Sequence, residues 1–482
     1  MNALSRRRGA CPALSAPMET GDGLLVRLVP ADGIFAPRAL VGLAHAAQAF
    51  GNGILEVTAR GSLQIRGLTD EGIGPLNDAV TALGLVPREG LAIDASPLAG
   101  IDAMEIADAR ALAREIGAAV AAASLLPRLG PKVSVVIDGG GACPLDASKA
   151  DVRLLAVRSE AGVAWRVALA GDAAGARPLG AWRAREAVAA VVDLLTRVAA
   201  LGRAARMDDV LRGEATPFAS VDPTLLAGPA ASSFPDPHPQ TREGADASAE
   251  RALSASAPKT RPGPLHLHPL ADGTLARGIG LPFGALEAGS FIALIEAAEA
   301  AGAREIRLAP GRALLAVGLT RNGAARLEQA ATALGLLTEA TDPRGFIAAC
   351  PGAPACASGR LAARALAPQV ARALAPLLDG SFEVHVSGCA KGCAHPAPAA
   401  LTLVGRETAP ATGLPSLDSP TLDFPIALVR EGKADGAAQA TLSPAALVPI
   451  LTRLAAPGRH PGETGAQALS RLFAQAFLER SA

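Results

Sequence analysis

From Gly23 the chain reads GLLVRLV, an apolar run carrying one arginine, and then APRALVGLAHAAQAFG, where apolar positions recur at the spacing of one helix face. GILEVTAR and SLQIRGL follow as two strands around a tight turn at Gly61, and IGPLNDAVTALG reads as a second helix. This strand, helix, strand, strand, helix order predicts a ferredoxin-like half. A loop, a long helix and the strand KVSVVID come next.

The same pattern is written twice. TALGL at Thr81–Leu85 returns at Thr332–Leu336, and LTDEG (68–72) returns at the same offset as LTRNG (319–323). GDGLLVRLVP from Gly21 faces ADGTLARGIGLP from Ala271. ARALA at Ala109–Ala113 recurs at Ala363–Ala367, fourteen residues after ASP in the first copy and ACP in the second. The second copy ends its pattern with the helix GRLAARALAPQVARALAPLL and the strand SFEVHVSG.

The fold class expected is α+β: a tandem duplication with two ferredoxin-like half-domains (21–90 and 265–340) and two α/β domains (91–225 and 341–482). Residues 1–20 read as a flexible tail. Residues 226–264, rich in proline, serine and alanine, read as a disordered linker in which His238 is a solvated side chain.

Composition narrows the function. The formal charge is zero, which argues against a general nucleic-acid binder. No apolar run approaches the about eighteen residues a membrane span needs, and the three arginines near the start have no apolar stretch behind them. A soluble cytoplasmic protein is expected, in which cysteines serve as metal ligands or catalytic groups rather than disulfides.

Four of the six cysteines lie in the second copy as CPGAPAC (Cys350, Cys356) and CAKGC (Cys389, Cys393). One pair precedes a helix and the other follows a strand, so four thiolates can converge, as for zinc or an iron–sulfur cluster. The five residues between Cys350 and Cys356 exceed the usual gap of a structural zinc pair and favour a cubane. Gly352, Gly388 and Gly392 let backbone N–H groups approach the sulfurs. The first copy has Ser96 in place of Cys350 and GGG in place of the second pair, so one copy is expected to hold metal and the other not. Cys11 and Cys143, each before a proline, are read as non-ligands.

At these residues the chain resembles the nitrite/sulfite reductase superfamily, with its duplicated ferredoxin-like half-domains and its C-x5-C…C-x3-C cluster motif. SGCAKGCAHP and RGACP…METGDGLLVRL resemble, within it, the branch that acts on precorrin-3A in aerobic cobalamin (vitamin B12) biosynthesis. The resemblance implies a 4Fe-4S cluster on Cys350, Cys356, Cys389 and Cys393. It also implies O2-dependent hydroxylation of a tetrapyrrole, precorrin-3A, with lactone formation, and electrons drawn ultimately from NADH through a donor reductase. A mononuclear non-haem iron also goes with that branch. Siroheme reductases usually carry an Arg-Asn pair where this chain reads IDASPLAG, and an asparagine where it has Lys391. A siroheme-dependent sulfite or nitrite reductase is the alternative, and a non-enzymatic electron carrier a third reading.

A flat, polycarboxylated ligand needs several cations around an apolar floor. Arg60 in the turn, Gln64 and Arg66 on one face of the next strand, and Arg27 on the opening strand supply them, matching the superfamily's T-x-R stretch. Lys132 in LPRLGPKVSVV, with Arg128 behind it, matches the reductases' basic segment, and Lys391 is the cation nearest the cluster motif. His385 and His395 are the candidate catalytic groups, as iron ligands or proton donors. HLH at His266–His268 is a weaker metal pair.

Overall fold

The computed structural model describes residues 12–159, 162–213, 261–406 and 424–478. Cys11, His238 and residues 226–260 of the expected linker lie outside the described residues.

The first copy opens with β1 (Met18–Thr20), β2 (Gly23–Leu28), α1 (Pro37–Phe50), β3 (Ile54–Val57), β4 (Leu63–Leu68) and α2 (Asp70–Ala82). The repeated LT..G and TALGL words are the two ends of one helix. Thr69 Oγ1 caps Gly72 N–H at 3.1 Å, and Thr320 caps Gly323 at 3.1 Å in the second copy. At the other end Gly84 (φ 70°) and Gly335 (φ 72°) take the left-handed conformation that closes a helix. The second copy runs β10 (Leu267–Pro269), β11 (Leu275–Gly280), β12 (Ala285–Glu287), α6 (Ala288–Ala300), β13 (Glu305–Ala309), β14 (Ala313–Leu319) and α7 (Arg321–Ala333).

The ferredoxin-like halves interlock. Their sheets run β1-β2-β4-β3-β12 and β10-β11-β14-β13, so a strand of the second copy completes the sheet of the first. In return Phe35 of the first copy bridges Ile306 on β13. One apolar core spans both halves, with Leu40, Leu43 and Ala47 of α1 against Phe291, Leu294 and Ile295 of α6. Each such fully buried side chain contributes about 1.5–3 kcal/mol, so neither half is a separable unit.

The α/β domains share one topology. The first contains β5 (Ala92–Ala95), α3 (Ala109–Ala122), β6 (Ser134–Asp138), β7 (Ala150–Ser159), β8 (Gly162–Gly171), β9 (Arg177–Trp182), α4 (Ala184–Ala200) and α5 (Met207–Gly213). The second contains β15 (Ile347–Ala349), α8 (Ala363–Leu374), β16 (Val384–Ser387), β17 (Ala399–Gly405), β18 (Ile426–Gly432), β19 (Ala440–Leu442), α9 (Pro444–Ala455) and α10 (Gly465–Phe473). Both sheets follow chain order, with the first three strands parallel and the last two antiparallel to their neighbours. The parallel start places the loops after β5 and β6, and after β15 and β16, together at one sheet end.

Two segments depart from the sequence expectation. Met18–Thr20 of the expected tail pair with β2 as β1. Residues 261–264 of the expected linker are held down: Arg261 binds Asp138 at 2.6 Å, and Pro262 O accepts from Cys143 N–H at 2.8 Å.

Candidate active site

Cys350 follows β15 and Cys389 follows β16, so the parallel pair brings the two cysteine motifs side by side. The Cys350 thiol accepts the Gly388 N–H at 3.1 Å and the Gly352 N–H as well. Burial raises its pKa, the two N–H groups oppose that rise, and Cys393 and Cys356 add to it. Cys393 is likewise raised by burial, then by Cys389 and Cys356. Cys350 and Cys393 therefore both feel the charge of neighbouring thiols, and a cationic centre between them would offset that repulsion.

The loops allow this only through glycine. A Cβ on Gly388 would stand 2.9 Å from Gly352 Cα, and one on Gly352 (φ 69°) 2.2 Å from Leu361 O. Thiol chemistry, N–H donors to sulfur and the glycine cradle all suit an iron–sulfur cluster. Among the described residues no group of three or more His, Cys, Asp or Glu side chains is arranged to hold a metal ion, so the thiols share one region without closing on a point.

Against this loop lies one face of the first ferredoxin-like sheet. Leu55, Leu63 and Ile65 point to the helices, so alternation turns Glu56, Gln64 and Arg66 the other way. Arg27, opposite Gln64 in the ladder, gives Gln64 Oε1 two hydrogen bonds at 2.7 and 3.2 Å. Gln64 Nε2 donates to Glu56 at 2.6 Å, and Arg364 of α8 reaches the same carboxylate at 2.6 Å. Arg66, 5% exposed, pairs with Asp22 at 2.8 Å and donates to Ala355 O at 3.0 Å, beside Cys356. A Cβ on Gly21 would stand 2.4 Å from Ala357 N, so sheet and cysteine loop touch backbone to backbone.

Arg27, Gln64 and Arg66 thus meet, with Glu56, Asp22 and Arg364 as partners that sequence reasoning missed. Arg60 does not join them. It is exposed at the far end of the sheet, about 20 Å along β4 from Arg66, where it donates to Lys149 O. Lys391 Nζ donates to Ser358 Oγ at 2.7 Å on the cysteine loop. Lys132 is exposed ahead of β6, and the β5–β6 register sets it at the opposite strand end from Ser96.

The histidines differ sharply. His385 is fully buried, neither ring nitrogen has a partner, and burial first, then His395 and Arg312, lower its pKa to about 4. His395 lies 5.8 Å away between two acceptors: Nε2 is 3.0 Å from Glu383 and Nδ1 is 3.0 Å from Ala397 O. Both nitrogens must then carry hydrogen, and Glu383 raises the pKa. The HLH pair is split, with His266 exposed and bonded to Gly263 O while His268 is buried 3.7 Å from the Cys143 thiol.

The offset from Ala109 to Ala363 makes Ser96 and Asp102 the counterparts of Cys350 and Cys356. Ser96 Oγ donates to Ala142 O at 3.0 Å, and Asp102 accepts from Ala142 and Met104 N–H at 2.5 and 2.9 Å. Leu315 and Val317, at the places of Gln64 and Arg66, pack with Leu98, Ala142 and Cys143. The first copy fills the region equivalent to the cysteine motifs with apolar side chains and hydrogen bonds to backbone.

A cavity of about 590 Å³ opens where the first sheet meets the first α/β domain. Arg60, Arg88, Arg110, Arg114 and Arg307 line it, against Asp32, Glu89 and Asp94, with Val29, Phe35, Leu91 and Ile93 among the apolar lining. Only Arg60 among these arginines carries a motif signal. The others come from separate segments and are joined by the fold alone.

Residues 16–83 match the model of the nitrite/sulfite reductase ferredoxin-like half domain. A precorrin-3B synthase from Sinorhizobium sp. is 39% identical over 436 residues, 89% of each chain. Among solved structures, the Mycobacterium tuberculosis NirA protein shares the fold with a TM-score of 0.67 at 20% identity, over 93% of this chain and 83% of its own. Among the described residues no helix is long and apolar enough to cross a membrane. Duplicated topology, cysteine motif and near full-length identity together show that the chain belongs to the precorrin-3B synthase family of the nitrite/sulfite reductase fold.

Proposed function

We propose that the protein is an oxidoreductase of cobalamin biosynthesis, a monooxygenase that hydroxylates the tetrapyrrole precorrin-3A with O2 and forms a lactone from a side-chain acetate. One oxygen atom enters the product as hydroxyl. The other leaves as water, which takes two electrons and two protons. The observation that carries the reading is the polar face of β2, β4 and β3, which runs from the cysteine loop at Arg66 to the arginine-lined cavity at Arg60.

In this reading Cys350, Cys356, Cys389 and Cys393 hold a 4Fe-4S cluster, which supplies one-electron transfer when bound. NADH is the ultimate electron source, through a separate reductase. The tetrapyrrole ring lies at the cavity end of the sheet face, where the half-buried Arg27 pairs a carboxylate, while the buried Gln64 and Arg66, bonded to Glu56 and Asp22, hold that face against the cysteine loop. Arg60 serves a carboxylate on the cavity side, and Lys391 stands over the cysteine loop. The His395 imidazolium, fixed by Glu383, holds a proton beside that loop, and the neutral His385 behind it is the adjoining base. Lys132, at the remote strand end, takes no part.

The test is anaerobic incubation of the cluster-loaded protein with precorrin-3A, then admission of O2 and a measurement of product mass. A gain of one oxygen atom supports the reading. No gain, or strong siroheme bands in the purified protein's visible spectrum, returns a siroheme reductase.

A further inference from the structure

The two copies treat one contact in opposite ways. On the cluster side Arg364 of α8 closes on Glu56 of β3 at 2.6 Å, an ion pair that seals the second α/β domain to the sheet. The repeat offsets make Arg110 of α3 the counterpart of Arg364, and Arg307 of β13 the counterpart of Glu56. The ladders agree, since Glu56 faces Gln64 and Arg307 faces Leu315, its counterpart. Where one copy has an arginine on a carboxylate, the other has two arginines.

That pair has not been packed away. Arg110 and Arg307 both line the cavity of about 590 Å³ and a second of about 560 Å³ beside it. Arg307 is 4% exposed and committed: Glu305 holds it at 2.7 Å, and it donates to Pro97 O at 2.9 Å. Arg110 is the less committed member, held only by a long, part-exposed ion pair with Asp108 among the contacts described. Its Nε is buried with no hydrogen-bond partner, and the carboxylate of Asp108 stands 3.6 Å away. Arg114, one turn along α3, reaches the first cavity from its exposed rim. Like charges gathered at a cavity wall with an unsatisfied donor are stable when an anion sits between them.

We propose that Arg110, backed by Arg307 and Arg114, is a carboxylate-binding subsite that takes a peripheral acetate or propionate of the tetrapyrrole. The subsite rests on the reading above, in which the ring lies on the first sheet. It anchors the edge of the ring farthest from the cysteine loop and so fixes which meso carbon faces the other way. The cluster-free copy has thereby turned an interface ion pair into a ligand contact.

Binding of uroporphyrin, a tetrapyrrole octacarboxylate, to the full-length cluster-loaded protein tests this by fluorescence quenching, with R110Q, R110K and R27Q beside wild type. R110Q is expected to weaken binding about tenfold and R110K less, since the lysine keeps the charge but loses the fork. Without ligand, R110Q is expected to melt no lower than wild type, because the part-exposed Asp108 pair is worth little and a like-charge contact with Arg307 is removed; a merely structural arginine would lower the melting temperature. If R110Q binds as wild type does while R27Q is weakened, the subsite is overturned and the sheet-face reading survives. If wild type fails to bind uroporphyrin at all, the sheet-face reading and the subsite fall together.

Discussion

Arg66 ties the substrate sheet to the cysteine loop, and its removal should be felt in both. Its side chain is 6% exposed and that of Asp22 is 15%, so the pair is screened little by water. Breaking a buried pair of this kind costs about 3–5 kcal/mol, because the remaining charge is left uncompensated. Asp22 would still accept from Thr20 Oγ1 at 2.7 Å and Asn52 Nδ2 at 2.9 Å, so the lower end applies: about 3 kcal/mol for Arg66→Met. Asp22→Asn leaves the guanidinium with Ala355 O and with Glu56 at 3.7 Å, and should cost about 2 kcal/mol. The double variant should cost less than the two together, with a coupling of at least about 1.5 kcal/mol. Urea unfolding of the four proteins measures the cycle, while visible absorption of the reconstituted protein follows cluster content. A coupling near zero, with both single variants within about 0.5 kcal/mol of wild type, would show that the sheet is not anchored through this pair.

Other perturbations reach different parts of the argument. Gly21→Ala places a methyl against the backbone of Cys356 and Ala357 and should cost about 1–3 kcal/mol and lower cluster retention, whereas Gly289→Ala, inside α6 and facing open space, should stabilise by up to about 1 kcal/mol; thermal melts of the two variants compare them. His385 is held neutral by burial with a folded pKa of about 4 against the ordinary 6.5 of histidine. Its contribution is therefore fully present above pH 6.5 and is lost as pH falls toward 4, about 3 kcal/mol in all, and His385→Phe should flatten that part of the stability–pH curve. Burial, then Asp102 and Asp138, push the Cys143 thiol up, so iodoacetamide at pH 8 should leave Cys143 unlabelled in the native protein and label it in urea, as peptide mass spectrometry would read. Cys389→Ser should remove the cluster's broad visible absorption and most activity.

Most of the fold was legible because the duplication wrote each pattern twice. The strands and helices of the first half fall within a few residues of the apolar periodicities that announce them, and the repeated words proved to be helix caps, which are local devices. The cysteine motif was legible for a similar reason, since strand ends and short glycine loops bring such residues together within one unit. The face shared by Gln64 and Arg66 followed from strand alternation alone. The disposition of Arg60 did not, because period two fixes the face a side chain takes and not its distance from a neighbour at the other strand end.

The sequence by itself determined what is local and repeated: the elements, their caps, the duplication, the four thiols and the polar face of β4. Tertiary structure alone decided what depends on residues far apart in the chain. It lent β12 to the first sheet, set Arg364 on Glu56, packed Leu315 and Val317 against the first copy's counterpart of the cysteine loops, and gathered arginines from four segments around one cavity. Such contacts join segments hundreds of residues apart and carry no period or spacing, so their energies enter only when the chain has folded.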